Sequence, residues 1–248
     1  MFAYQGAYND YWENRCAPIP QGIYEESSTS KGQLGTVRRV GGRTFVYAKA
    51  GAAALGIGMV SVHPTPAANH QNVAVAVAAA VDADNVTVTL GATAATLNQY
   101  EDGYLVVSDA TGEGTAYKIR SNPAADASAS LKLTLYDRVH TALTTSSECC
   151  LIPNPYNGTV IAVTDQADGC AGVPIIGITA NYYYWSQTGG ICPVLADENV
   201  TQGSLLTFGT SVAGAVEAQD AAGEHILGYA YIALVDTEYR PAFLTILQ

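Results

Sequence analysis

Charged side chains are scarce in this sequence. Only 13% of the 248 residues are Asp, Glu, Lys or Arg, roughly half the share of an average globular domain. Lys and Arg together number 11, and the net charge at pH 7 is −11. Such an acidic chain is a poor partner for nucleic acid, whose affinity depends on neutralising phosphates. Hydrophobic residues make up 48% of the chain, so we expect a large core and a surface partly covered by partners.

The few positive charges are unevenly distributed. Residues 1 to 49 contain six basic and four acidic side chains, a net charge of +2, whereas the rest of the chain has 5 − 18 = −13. Solubility is the plain interpretation of the acidic body. A sharper interpretation is that the mildly basic N-terminal part docks on an acidic partner.

Metal-ligand spacings and targeting signals are also missing. No CxxC, HExxH or HxH pattern occurs, so we predict neither a metal nor a cofactor and expect reduced, mostly buried thiols. Met1 to Gln5 lack the charged start and apolar core of a signal peptide, which predicts synthesis in the cytoplasm. The run Ala50 to Val62 is too short and too rich in glycine to cross a membrane. The cysteines are Cys16, Cys149, Cys150, Cys170 and Cys192, and the histidines are His63, His70, His140 and His225.

Catalytic signatures are weak. No GxSxG motif is present, and the loop Gly112 to Thr115 lacks the lysine and the following helix of a phosphate-binding loop. Three acidic pairs could serve a glycosidase or bind calcium, but all lie in turn-like contexts, where acidic residues are common for local reasons. We therefore predict no enzyme, with a hydrolase using a dispersed carboxylate pair as an open alternative. The pairs are Glu101 with Asp102, Asp197 with Glu198, and Asp82 with Asp84.

Short alternating runs, punctuated by glycine every 5 to 12 residues, predict an all-β protein. Gly41-Gly42 between Thr36 to Val40 and Arg43 to Ala48 is a hairpin signal. Val73 to Val77 alternates like a strand, with a helix over 73–81 as the alternative because alanine favours helices. Further strands are predicted at 56–62, 103–107, 115–120, 131–136, 159–164, 173–180, 192–195 and 204–208.

Four consecutive aromatic residues, Tyr182, Tyr183, Tyr184 and Trp185, precede Gly189-Gly190. The run predicts a strand and the two glycines predict a turn. Alternation would place Tyr182 and Tyr184 on one face and Tyr183 and Trp185 on the other, so at most one pair is exposed. We therefore expect core or intersubunit packing here, with stacking on sugars as the alternative.

Residues 1–34 have no sustained period but are rich in aromatic side chains, and they predict an extended N-terminal arm. Its aromatic residues are too many for a free tail, so they pack either on the chain itself or on a neighbouring subunit. These residues include Tyr4, Tyr8, Tyr11 and Trp12.

Two separated blocks resemble tailed-bacteriophage head decoration proteins, also called capsid cement proteins. The first comprises Leu34 to Arg39 and Gly42 to Gly51, and the second comprises Tyr183 to Gly190 with Gly228 to Ala230. The resemblance implies one β-barrel or sandwich domain formed by 35–71 together with 156–248. Residues 72–155 depart from the family's minimal module, and we interpret them as an inserted second β domain, since surface turns tolerate insertions.

The resemblance further implies a non-enzymatic virion protein on the capsid exterior that bridges major capsid subunits as a homo-oligomer, with a trimer favoured. Expected contacts with the shell or between subunits are Tyr4, Tyr8, Tyr11, Trp12, Arg38, Arg39 and Arg43. The strand Tyr182 to Trp185 is expected to pack in the core or between subunits. The alternative function is a phage tail or fibre module that binds a receptor or glycan. Neither nucleic acid nor a membrane is an expected partner.

Overall fold

The computed structural model describes residues 19–164 and 169–247. Within these ranges the protein is all-β, as predicted, and its helical structure is a single 3-10 turn, Ala68–His70. The described strands are β1 (Val37–Val40), β2 (Arg43–Ala50), β3 (Ser61–Val62), β4 (Val73–Val77), β5 (Asn85–Thr89), β6 (Tyr104–Asp109), β7 (Ala116–Ser121), β8 (Ser130–Leu135), β9 (Glu148–Ile152), β10 (Asn157–Ile161), β11 (Cys170–Pro174), β12 (Tyr183–Leu195), β13 (Leu205–Phe208), β14 (Val216–Ala218), β15 (Gly228–Ala230) and β16 (Tyr239–Thr245).

The chain forms two compact units. One contains the chain up to Pro64 together with Pro155 onward, and the other contains Thr65–Asn154. The sequence analysis placed the junctions at 71/72 and 155/156, whereas the two units divide after Pro64 and after Asn154. Both structural junctions adjoin prolines, which restrict their own and their predecessor's backbone and so interrupt strands.

The discontinuous unit contains a ten-stranded sheet in the order β1-β2-β10-β3-β11-β12-β16-β15-β13-β14. An additional pairing of β2 with β12 closes a ring of five strands. Most neighbours are antiparallel, whereas β10 runs parallel to β2. The β1–β2 turn at Gly41 and Gly42 has positive φ at both residues (56° and 78°), as a tight hairpin turn requires.

Strand β12 is the longest of the described strands and organises this sheet. Tyr183 to Gly189 pairs with β2 on one side, and Gly189 to Leu195 pairs with β16 on the other. The predicted turn at Gly189-Gly190 is therefore wrong, because the strand continues through both glycines. At this point the register with β2 shifts, and a Cβ on Gly190 would lie only 2.5 Å from the carbonyl oxygen of Gly42. The glycines permit a close backbone approach rather than a chain reversal.

The main core of this unit lies on one side of β2 and β12. It includes Phe45, Tyr47, Trp185, Leu206 and Leu244. A smaller cluster of Ala48, Ala50, Leu55, Ile178 and Tyr184 occupies the other side. Alternation along each strand explains how both sides of the same strands become buried.

Thr65–Asn154 forms a closed six-stranded barrel in the order β4-β5-β8-β7-β6-β9. Its interior is filled by side chains that alternate along the strands, including Val86, Val88, Leu131 and Leu133 together with Tyr117. The helix considered for 73–81 is not formed, because Val73 and Val75 contribute to this interior as alternate residues of a strand.

Two further predictions of strand extent need correction, and one strand was not predicted. The predicted strand at 56–62 is reduced to Ser61–Val62, and the strand predicted at 173–180 covers Cys170–Pro174. The final strand, Tyr239–Thr245, was missed because its Pro241 suppresses the alternation signal. Pro241 sits opposite Pro193 of β12, and two facing residues without N–H groups weaken the ladder only locally.

Candidate interaction surface

The β1–β2 hairpin separates the three predicted contact arginines. Arg38 faces Phe45 and Arg39 faces Thr44 across the hairpin. Because neighbouring residues of a strand point to opposite faces, Arg38 is directed to the main core side and Arg39 to the other side, called here the outer face. The arginines therefore cannot act as one contact group.

Arg38 supports the core rather than presenting a free charge. Its Nη1 donates a hydrogen bond to the carbonyl oxygen of Gln21 at 2.7 Å, and its guanidinium lies 5.2 Å from the centroid of the Trp185 ring. Such stacking stabilises both side chains. The structure therefore assigns Arg38 a role within the chain.

Arg39 and Arg43 flank a depression of about 370 Å³ at the end of the hairpin. Arg39 is exposed, whereas Arg43 is half-buried. Both terminal nitrogens of Arg43 lie 3.3 Å from the Tyr24 hydroxyl, and its guanidinium is 5.2 Å from the Phe45 ring centroid. Because Phe45 belongs to the main core, this packing places the Arg43 guanidinium on the core side of the hairpin, opposite the exposed side chain of Arg39. The remaining lining residues are Gly42, Thr44, Gly189, Gly190, Phe243 and Leu244.

A row of apolar side chains continues from this depression across the outer face. Ile191 of β12 pairs with Phe243 of β16, Phe243 with Tyr229 of β15, and Tyr229 with Leu205 of β13. The rings of Tyr229 and Phe243 are stacked at 5.3 Å with an interplanar angle of 15°. We call Ile191, Phe243, Tyr229 and Leu205 the apolar row.

The apolar row faces away from the core because its sequence neighbours fill that core, and Ile191 and Leu205 are exposed while Phe243 and Tyr229 are half-buried. Cys192, Ala242, Ala230 and Leu206 are buried, which directs the row to the opposite face. Ile191 is 45% exposed and Leu205 is 44% exposed. An apolar strip spanning four strands is typical of a surface that binds another protein.

The sequence did not reveal this row. In Ile191-Cys192-Pro193-Val194 and in Leu205-Leu206, both strand faces carry apolar residues, so alternation is hidden. The only signal in the sequence was the excess of apolar residues. A strand with apolar side chains on both faces needs a packing partner on each face, either the protein's own core or another molecule. Only the strand register shows that one of them is uncovered.

The predicted arm contacts Tyr4, Tyr8, Tyr11 and Trp12 lie outside the described residues. The part of the arm that is described, from Ile19, packs on its own unit. Ile19 is buried in the main core, and the buried Gln21 accepts a hydrogen bond at Oε1 from the Tyr47 hydroxyl at 2.8 Å. This segment covers the core side of β1 and β2.

The aromatic run is divided between two faces, as alternation predicted. Trp185 is buried in the main core with Tyr183 packed against it, and Tyr184 is buried in the smaller cluster with Tyr182 against that. The Tyr184 and Thr159 hydroxyls are hydrogen-bonded at 2.9 Å. Burial raises the pKa of Tyr184 above its usual range, so this hydroxyl stays protonated and structural.

The acidic pairs considered for catalysis fix loops. Asp102 accepts a hydrogen bond from the Tyr136 hydroxyl at 3.0 Å, Asp197 accepts one from the Ser211 amide at 2.7 Å, and Glu198 accepts one from the Ala218 amide at 3.0 Å. Asp84 accepts one from Asn85, and this bond is the main cause of its lowered pKa. Across residues 19–164 and 169–247, no three His, Cys, Asp or Glu side chains are arranged to hold a metal ion.

The fold thus belongs to the all-β class, and its most distinctive surface is the apolar row with the adjoining Arg39. Comparison of the chain with models of protein families, with curated proteins and with solved structures finds no match in any of the three. None of the helical structure in the described part of the chain is long and apolar enough to cross a membrane.

Proposed function

We propose that this chain is a non-enzymatic structural protein of a virion. Specifically, it is a head decoration protein of a tailed bacteriophage that binds the outer surface of the capsid and bridges major capsid subunits. The observation that carries the proposal is the apolar row, which four strands hold in a fixed register on an otherwise charge-poor surface. The sequence resemblance to decoration proteins is the reason for proposing a phage capsid as the partner.

The apolar row suits a static contact. Its side chains are mounted on a continuous hydrogen-bonded sheet, so little conformational entropy is lost when a partner covers them. Stacked aromatic rings such as Tyr229 and Phe243 provide large rigid contact area. Many copies bound to one particle strengthen the attachment through avidity.

The test is binding of the purified protein to undecorated phage heads, measured by co-sedimentation. Leu205→Asp and Ile191→Asp each place a charge in the apolar row and are expected to weaken binding at least tenfold, about 1.4 kcal/mol or more. Leu97→Asp is the matched control, because Leu97 is 71% exposed in the other unit. If both row variants bind as the wild type does, the apolar row is not the capsid contact.

A second candidate, a glycan-binding module of a tail or fibre, is favoured by one observation. Tyr239 is 50% exposed and lies on the same face of β16 as Phe243, and exposed tyrosine rings can stack on sugars. A glycan array separates the two functions, because a decoration protein gives no signal. Binding to a defined glycan, abolished by Tyr239→Ala, would support the second candidate.

A further inference from the structure

Strand β1 forms an open edge of the ten-stranded sheet. It is the first strand in the sheet order, and within residues 19–164 and 169–247 no strand pairs with its far side. The other end of the sheet is covered, because Val216 of β14 bridges to Ala196 and its carbonyl oxygen accepts a hydrogen bond from the Asp197 amide at 2.8 Å. The sheet can therefore be extended at β1, where Val37 and Arg39 are exposed.

The register of the hairpin shows which backbone groups of β1 face the open side. The Tyr47 amide donates a hydrogen bond to the Thr36 carbonyl oxygen at 2.9 Å. Hydrogen-bonded and non-hydrogen-bonded pairs alternate along an antiparallel ladder, so Arg38, two residues further on, is also bonded to β2. Val37 and Arg39 occupy the alternate positions, and their N–H and C=O groups point away from β2.

We propose that β1 pairs with β1 of a second copy of this chain, antiparallel and about a two-fold axis at Arg38. In this register Val37 of one copy lies opposite Arg39 of the other, and each such pair exchanges both of its N–H···O bonds. The outward-pointing backbone groups of both strands are then matched. The contact is isologous and closes at two copies, because both copies use the same edge.

The two arginines of β1 are compatible with this pairing. Arg38 lies opposite its own counterpart, but its guanidinium reaches across β2 to the Trp185 ring at 5.2 Å and donates to the Gln21 carbonyl oxygen at 2.7 Å. Its charge therefore lies away from the edge. Arg39 lies opposite Val37 of the second copy, so like charges do not face each other directly on the outer face.

The composition of β1 also favours a second copy. Edge strands that stay unpaired commonly carry lysine, proline or a bulge, whereas Val37–Val40 contains neither lysine nor proline and keeps an unbroken register with β2. Val37 is 48% exposed, and in the two-fold pair it packs against the aliphatic stem of Arg39. Copies bound side by side on one particle also meet at high local concentration.

The pairing places the apolar rows of both copies on one side. Val37 and Arg39 point to the outer face, and residues directly opposite each other in a ladder share a face. The outer faces of the two copies are therefore continuous across the joint, and both rows can contact the same capsid. The inference rests on the proposed function only for this use of the dimer, in which two rows bind more tightly than one.

The first test is the oligomeric state, measured by sedimentation equilibrium over a range of protein concentrations, and the wild type is expected to form a dimer. Val37→Pro removes an N–H that points away from β2, so the hairpin keeps its own ladder. The contact loses a hydrogen bond from each copy, and its dissociation constant should rise at least about tenfold. Val37→Thr is the matched control, because it keeps the N–H and the β-branched shape and should associate as the wild type does.

Disulfide formation tests the register and does not depend on the proline variant. Residues of a hydrogen-bonded pair have Cα atoms about 5.5 Å apart, within the range of a disulfide. Chains with Val37→Cys mixed with chains with Arg39→Cys should therefore cross-link on oxidation. Either variant alone should cross-link far less, because its two introduced cysteines are offset along the ladder and lie about 7–8 Å apart.

Three results would each overturn the inference. These are a wild type that is monomeric or trimeric, a Val37→Pro variant that associates as the wild type does, and cross-linking of Val37→Cys alone as efficient as that of the mixture. Binding to undecorated heads is measured on the same proteins, and the Val37→Pro monomer should bind more weakly. A wild-type dimer that does not bind heads overturns only the proposed function, whereas a monomeric wild type that binds heads overturns only this inference.

Discussion

Arg38 and Trp185 donate hydrogen bonds to the same acceptor, the carbonyl oxygen of Gln21, at 2.7 and 3.0 Å. The guanidinium also stacks over the indole ring at 5.2 Å. The carbonyl thus ties the segment before β1 to β1 and to the central strand β12. Arg38, one of the three arginines expected at a partner surface, therefore also stabilises the fold itself.

The different placement of Arg38 and Arg39 predicts different effects on stability. Arg38→Ala removes a charged donor and a cation–π contact, and should lower the free energy of unfolding by about 1–3 kcal/mol. Arg39→Ala removes an exposed side chain and should change it by less than about 0.5 kcal/mol. Urea denaturation at low protein concentration measures both. Equal losses for the two variants would contradict the assignment of Arg38 to the fold.

The close backbone approach at β12 predicts a large cost for a methyl group at Gly190. Its φ is +80° and a Cβ would meet the Gly42 carbonyl at 2.5 Å, whereas Gly203 has φ +85° with open space around it. Gly203→Ala should cost about 1–2 kcal/mol from backbone strain alone. Gly190→Ala should cost about 1–3 kcal/mol more, because the β2–β12 ladder must shift. Thermal unfolding of the pair isolates the steric contribution, and equal melting temperatures would refute it.

The barrel of residues 65–154 contains a buried histidine whose hydrogen bonds depend on Tyr100. His70 Nε2 donates to the Thr93 carbonyl at 2.9 Å, and Nδ1 is hydrogen-bonded to the Tyr100 hydroxyl. Tyr100→Phe leaves Nδ1 buried without that donor and should lower stability by about 1–3 kcal/mol. The exposed Tyr104→Phe is the control and should change it by less than about 0.5 kcal/mol. Chemical denaturation of the two variants measures both changes. If Tyr100→Phe leaves the free energy of unfolding unchanged, the hydrogen bond between His70 and Tyr100 contributes little to stability.

Two buried thiols predict a loss of stability in alkali. Burial raises the pKa of Cys149 and of Cys192 from 9.0 to about 12. Above pH 9 the unfolded thiol loses its proton while the folded thiol keeps it, so the unfolded state binds fewer protons and stability falls as pH rises toward 12. Each thiol contributes about 1.4 kcal/mol per pH unit in this window and nothing well below pH 9.

The alkaline prediction is checked by the free energy of unfolding between pH 8 and 10.5. Cys149→Ala and Cys192→Ala should each lose stability less steeply with pH than the wild type, whatever their stability at pH 8. Cys149 lies in the barrel and Cys192 in the discontinuous unit, so the two effects should add. A pH dependence identical in all three proteins would contradict the prediction.

Local sequence patterns gave the all-β class and most strand positions correctly. Gly41-Gly42 predicted the hairpin because both positions need positive φ, and alternation at 73–77 identified a barrel strand. The same local rules failed at Gly189-Gly190, where glycine serves a close approach to a residue far away in sequence. They also missed the strand that contains Pro241. The effect of its missing N–H group on the sheet depends on which residue lies opposite it on the neighbouring strand, and the sequence does not show this.

The sequence by itself determined that this chain forms strands, where most of them lie, and that its aromatic run is divided between two faces. These properties depend on side-chain alternation and turn chemistry, which act between near neighbours. Only the tertiary structure decided that Arg38 supports the core while Arg39 faces outward, and that Ile191, Phe243, Tyr229 and Leu205 form one row. Strand order and register decide such questions, because they join residues distant in sequence, and a register change of one residue exchanges the two faces of a strand.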